Sequence, residues 1–123
     1  MIENQRRMQQ IRDFQNLPMQ ATDLDGIIDV KGRAWVLFEC KFRDTELTVG
    51  QTLALTRMCA DLNKIRPTIG IVARHDIPVY KEIDCNQCLV SDVWYQGQWH
   101  YSVKGYTLGK LIECFINGGV LVL

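Results

Sequence analysis

Two apolar runs separated by a short polar link dominate the first half of the chain: Leu24-Asp25-Gly26-Ile27-Ile28-Asp29-Val30 and Ala34-Trp35-Val36-Leu37-Phe38-Glu39-Cys40-Lys41, with Lys31-Gly32-Arg33 between them. Apolar, β-branched and aromatic residues around a glycine-containing link predict a β-hairpin with arms over residues 23–30 and 34–42. Ahead of it, Ile2, Met8, Ile11 and Phe14 recur at helical spacing among Arg and Gln. They predict an amphipathic helix over residues 2–16, which Asn16-Leu17-Pro18 ends because a residue before proline avoids helical geometry. Residues 18–22 suit a short extra strand that Pro18 would confine to an edge.

Beyond the hairpin, Val49, Leu53, Leu55, Met58, Cys59 and Leu62 give a helix over residues 48–63 a broad apolar face, and Arg66-Pro67 stops it. Thr68-Ile69-Gly70-Ile71-Val72-Ala73-Arg74 is a β-branched run of the kind that forms a buried strand. A strand followed by a helix and another strand predicts a parallel crossover. Residues 88–95 and 98–103 predict a second hairpin about Gln96-Gly97, and Thr107 caps a last helix through Asn117, which Gly118-Gly119 terminates. The order of elements implies a single α/β domain over residues 1–123, a mixed sheet with helices on its faces.

Strand alternation puts Glu39 and Lys41 on one face, and Val36, Phe38 and Cys40 on the other. The length of the link then decides which acid meets Glu39. A two-residue loop at Lys31-Gly32 sets Asp25 opposite Phe38, on the wrong face. A three-residue loop, or a bulge beside Gly32, sets Asp25 opposite Glu39 and Asp23 opposite Lys41. In that register Asp29 faces Trp35, roughly 13 Å along the strand from Glu39. Asp25 is therefore the preferred partner, with Asp23 as a second carboxylate. Two carboxylates and an ammonium at one end of an apolar hairpin are costly to half-bury unless a cation or a phosphate uses them. The competing structural reading is a salt-bridged sheet end.

An Asp closing one strand, Glu39-Cys40-Lys41 closing the next, and a following helix that carries Gln51 together resemble the PD-(D/E)XK nuclease superfamily. The phrase Thr22-Asp23-Leu24-Asp25-Gly26 is similar to small members carried by bacteriophages and prophages, although the proline of the family name is missing. The resemblance covers about residues 1–75. It implies a restriction-endonuclease-like sheet and a nuclease that hydrolyses DNA phosphodiesters with Mg2+ or Mn2+. By the same resemblance Asp25, Glu39 and the backbone carbonyl of Cys40 hold the metal, Lys41 assists the attacking water, and Gln51 joins them as a catalytic residue. Gln51 also fits a capping box with Thr48. Glu3 could reach the site from the first helix, but a first-turn Glu is favoured by the helix dipole in any case. The alternative function is a non-catalytic binding or phage accessory protein that keeps the nuclease fold.

Fourteen basic and fourteen acidic residues leave no net charge, so nucleic-acid binding would need a local basic patch. Arg6, Arg7 and Arg12, with Lys31 and Arg33 in the turn, are candidates. DNA, branched or single-stranded, is the expected partner, and a homodimer would let so small a nuclease address two strands, with the apolar tail from Gly119 to Leu123 as a contact or as packing on its own sheet. No apolar stretch approaches the ~18 residues of a membrane span and the start lacks a signal-peptide core, so a soluble, cytoplasmic protein is expected, in the host cytoplasm if phage-encoded. Five cysteines, an odd number, imply free thiols. Cys85 and Cys88 have the spacing of half a zinc knuckle, which only Cys114, His75 or His100 would complete. Trp94, Tyr95, Trp99 and Tyr101 either pack in the second hairpin or stack on bases.

Overall fold

The computed structural model describes residues 22–78 and 80–123. The helix expected over residues 2–16, with Glu3 and the three arginines on it, lies outside the described residues, as does all but Thr22 of the short extra strand. The fold is a single small α/β domain, consistent with a restriction-endonuclease-like architecture. A sheet of five strands, ordered β1-β2-β3-β4-β5, carries one helix on each face.

Strands β1 (Gly26–Val30) and β2 (Ala34–Phe42) form the first hairpin. Their register runs from Val30↔Ala34 to Gly26↔Phe38, which is the register of a three-residue loop. Lys31 and Gly32 enter the left-handed region at φ 49° and 74° to close it. Helix α1 (Val49–Asn63) crosses over to β3 (Thr68–His75), which pairs with β2 in parallel from Trp35↔Thr68 to Phe42↔His75. Antiparallel β4 (Leu89–Tyr95) and β5 (Gln98–His100) turn about Gln96 and Gly97, both at positive φ, as a two-residue hairpin turn requires. Helix α2 (Leu108–Ile116) starts on the Thr107 hydroxyl, which accepts the Lys110 N–H, and ends at Asn117.

The second arm of that hairpin is shorter than the expected span of residues 98–103. After His100 the chain leaves regular pairing, with Ser102 at φ 55°. It still runs beside β4: the Val103 N–H donates to the Ser91 carbonyl, and the Val90 N–H to the Tyr106 carbonyl. The tail folds back on the domain. Leu121 and Leu123 pack on the core under α2, and the Val122 N–H donates to the Tyr106 hydroxyl at 3.0 Å.

Alternation along β2 and β3 divides the core into two layers. Val36, Ile69, Ile71 and Ala73 meet Leu108 and Leu111 of α2, while Leu37 and Val72 meet Leu55 and Cys59 of α1. Strand β3 is buried from Thr68 to Ala73 because both its faces are covered, as its unbroken β-branched run requires. Gly70 sets how near α1 can come: a Cβ there would lie 2.6 Å from the Cys59 Sγ and 3.4 Å from the Trp94 Cβ. Cys59 is fully buried, and that burial pushes its thiol up to about 12, so it packs as a small hydrophobe. Gly70→Ala is expected to cost about 1–3 kcal/mol by overpacking. Adding Cys59→Ala should recover part of that loss, and a double-mutant cycle by urea unfolding reads the coupling.

Candidate active site

Backbone direction along β2 builds the site. The Trp35 and Arg43 N–H groups donate to carbonyls on the β3 side, so the N–H and C=O of alternate residues such as Cys40 face the β1 side. Regular pairing on that side ends at Gly26↔Phe38. Asp25 takes the next position: its Oδ2 accepts the Cys40 N–H at 2.7 Å, replacing a ladder bond with a carboxylate. The Cys40 carbonyl projects to the same edge, beside Asp25. One register step beyond Gly26↔Phe38, Asp25 stands opposite Glu39.

Glu39 is only 7% exposed, one of two buried polar residues among those described. Its environment pushes its carboxyl up to about 7, first through burial, then through the charge and hydrogen bonding of Asp25, with Asp23 adding to the repulsion and the Lys41 ammonium partly offsetting it. Glu39 therefore lies within hydrogen-bonding reach of Asp25 and in the field of Lys41 and Asp23. A cavity of about 40 Å3 beside it is lined by Asp23, Leu47, Gln51 and Met58 among others. That volume suffices for an ion with a water or two.

Gln51 forms the expected capping box and also lines the cavity beside Glu39. Its side chain accepts the Thr48 N–H at 3.1 Å while its own N–H donates to the Thr48 hydroxyl at 3.0 Å, a capping box. It lines the Glu39 cavity at the same time. Asp29 lies at the far end of the hairpin, where its Oδ1 accepts both the Gly32 N–H and an Arg66 N–H at 2.9 Å. Those bonds, the Gly32 one foremost, hold its carboxyl below the usual range. Lys31 and Arg33 share that far end, so the turn brings no basic charge to Glu39. Among the described residues, the cations at the near end include Lys41, Arg43 and Arg74, Arg74 pairing with Lys41 across the parallel ladder. The Arg74 guanidinium donates to the Arg43 and Thr45 carbonyls and to the Ser91 hydroxyl.

Among the described residues, no three His, Cys, Asp or Glu side chains are grouped so as to hold a metal ion; Asp25 and Glu39 are a pair that would need the Cys40 carbonyl and water to complete a coordination shell. The residues that could have completed a zinc knuckle with Cys85 and Cys88 are each engaged elsewhere. Cys114 contacts the Val120 carbonyl, His75 accepts the Ile77 N–H and stacks edge-on with Phe42, and His100 sits in β5. The neighbour of Cys88 is Cys40, a contact that spacing along the chain does not reveal; burial first, and then the Cys88 thiol, raises the Cys40 thiol far above its usual range. All five cysteines are free.

A larger cavity, of about 540 Å3, opens beyond the C-terminal end of β3 between Arg43, Asp76, Glu82 and Leu89, and contains neither Asp25 nor Glu39. No helix among the described residues is long and apolar enough to cross a membrane. Comparison with family models, curated proteins and solved structures yields no match for this chain, and the chemistry rests on the geometry of its own residues.

The raised Glu39 carboxyl has a signed effect on stability. Between about 4.5 and about 7 the folded protein keeps a proton that the unfolded chain has released, so the contribution of Glu39 falls as pH rises through that window and is level on either side. Glu39→Gln, which imitates the protonated acid, should match the wild type in metal-free buffer below the window and exceed it above. Urea unfolding of both proteins across the range measures the difference; equal stability at every pH would refute the raised Glu39 carboxyl.

Proposed function

We propose that this protein is a divalent-metal-dependent nuclease that hydrolyses DNA phosphodiesters at the end of the first hairpin. The observation that carries the reading is the burial of Glu39 against Asp25. A buried carboxylate held against an exposed one that repels it is a liability to folding and an asset to cation binding. Their oxygens, with the Cys40 carbonyl, suit a hard cation such as Mg2+ or Mn2+. When bound, such an ion supplies Lewis acidity toward the phosphate and acidifies a water molecule.

The chain's own groups do the remainder. Asp25 places one oxygen on the Cys40 N–H, which fixes its orientation, and keeps the other for the cation. Glu39, once ionised, would hold the cation together with Asp25. Lys41, on the same face two residues on, holds the phosphate's negative charge and orients the attacking water. Gln51 closes the opposite wall from its cap on Thr48.

Balanced charge over the whole sequence favours the second reading, a non-catalytic binding module on the same fold. Metal-dependent cutting separates the two. Nicking of supercoiled DNA is expected with magnesium or manganese and not with calcium alone, whose larger radius and looser coordination place the water poorly. Lys41→Ala should lower the rate by about 100-fold or more while keeping manganese binding by calorimetry. Asp25→Asn, which keeps an acceptor for the Cys40 N–H but loses the charge, should lose both. Wild-type protein inert on duplex, single-stranded and branched DNA would leave the binding module as the better account.

A further inference from the structure

An open cavity of about 260 Å3 lies between the start of α1 and the second hairpin, walled by Trp99 and Tyr101 with Arg74, Asp92, Glu46 and Thr52 around it. It borders the acidic site directly. Val72 in its lining is the β3 partner of Glu39, and Leu47 lines both this cavity and the small one beside Glu39. Trp99 is anchored: its indole N–H donates to the Thr56 hydroxyl at 2.9 Å and its ring packs on the Leu37 and Val72 layer. Tyr101 stacks on that fixed ring, centroids 6.4 Å apart and planes 20° from parallel, yet is 72% exposed. An aromatic ring so exposed adds little to the core, and its orientation is set by its neighbour.

Asp92 and Arg74 are also held in place. Asp92 accepts the Ser91 hydroxyl at 3.0 Å and the Ser102 N–H at 3.4 Å, and the Arg74 Nε–H donates to the same serine. Two carboxylates, Asp92 and Glu46, against one guanidinium already turned to backbone carbonyls make a poor phosphate cradle. They are suited to accepting hydrogen bonds from ring and exocyclic amino groups. We infer that the cavity takes an unpaired nucleobase of the strand bound at Glu39, stacked on Tyr101 and hydrogen-bonded by Asp92 and Glu46. This rests on the nuclease reading for the position of the strand, and it makes a single strand or an unpaired junction the substrate.

Binding in calcium, where no cutting is expected, isolates the stack. Anisotropy of a labelled single strand of about 12 nucleotides should show Tyr101→Ala weakening binding by about 10-fold or more, with Tyr101→Phe near wild type and blunt duplex unaffected by either. Replacing single nucleotides of the strand by abasic ones should reveal one position whose loss matches that of Tyr101→Ala and does not add to it. The inference is overturned if Tyr101→Ala leaves single-strand binding unchanged, if it weakens duplex equally, if no abasic position matters, or if the wild type binds no strand. Tyr101-dependent binding in a protein that never cuts would sink the nuclease reading and leave the base site standing; cutting without any dependence on Tyr101 would do the reverse.

Discussion

The parallel ladder between β2 and β3 is the constraint on which the remaining structure depends. It seats a strand that is buried on both faces next to one that is apolar until its last residues, and so carries the charged end of β2 into the interior. Glu39 is held beside Val72, and Lys41 beside Arg74, by backbone bonds that neither side chain chooses. Helix α1 then covers that face as closely as Gly70 and Cys59 allow. A carboxylate introduced on the surface would relax into water; here the ladder and the helix set it against Asp25, Asp23, Lys41 and the small cavity.

Charge at the strand ends is segregated in a way that composition conceals. At the turn of the first hairpin Asp29 is consumed by the Gly32 N–H and Arg66, whose guanidinium lies 4.2 Å over the Trp35 ring. That pair is satisfied within itself, and Lys31 and Arg33 beside it leave the end with an excess of positive charge. At the other end Asp23, Asp25 and Glu39 face Lys41, with Arg43 and Arg74 behind. A chain of zero formal charge can thus concentrate both signs within one site, and the field there bears no relation to the net count.

Local chemistry made much of this readable in the residues. The loop of Lys31, Gly32 and Arg33 fixes the parity that brings Asp25 to Glu39, and parity is a local property. Thr48 and Gln51, Thr107, and the Gln96-Gly97 turn announce their elements in the same way. Non-local pairing was not readable: nothing in the spacing shows that Arg74 lands beside Lys41, or that Cys40 meets Cys88, since both depend on the offset between strands separated by a helix or a loop. The aromatic residues of the second hairpin divide for a similar reason. Trp94 falls on the face under α1 and is buried, Tyr95 turns to Phe115 on the other, and Tyr101, past the end of β5, escapes both. Their shared chemistry gave no means of separating them.

Asp29 has a further consequence, for the chain's behaviour in company. Among the five strands described, β1 stands at the rim of the sheet, with Ile27 half open to water. A flat apolar rim invites a second chain to extend the ladder and begin a fibril. The ionised carboxylate next to the strand's last residue, kept charged by its bonds to Gly32 and Arg66, hinders that growth, because an incoming strand would have to strip water from it. An acid that takes no part in the site thus makes that rim a less favourable template for a second strand.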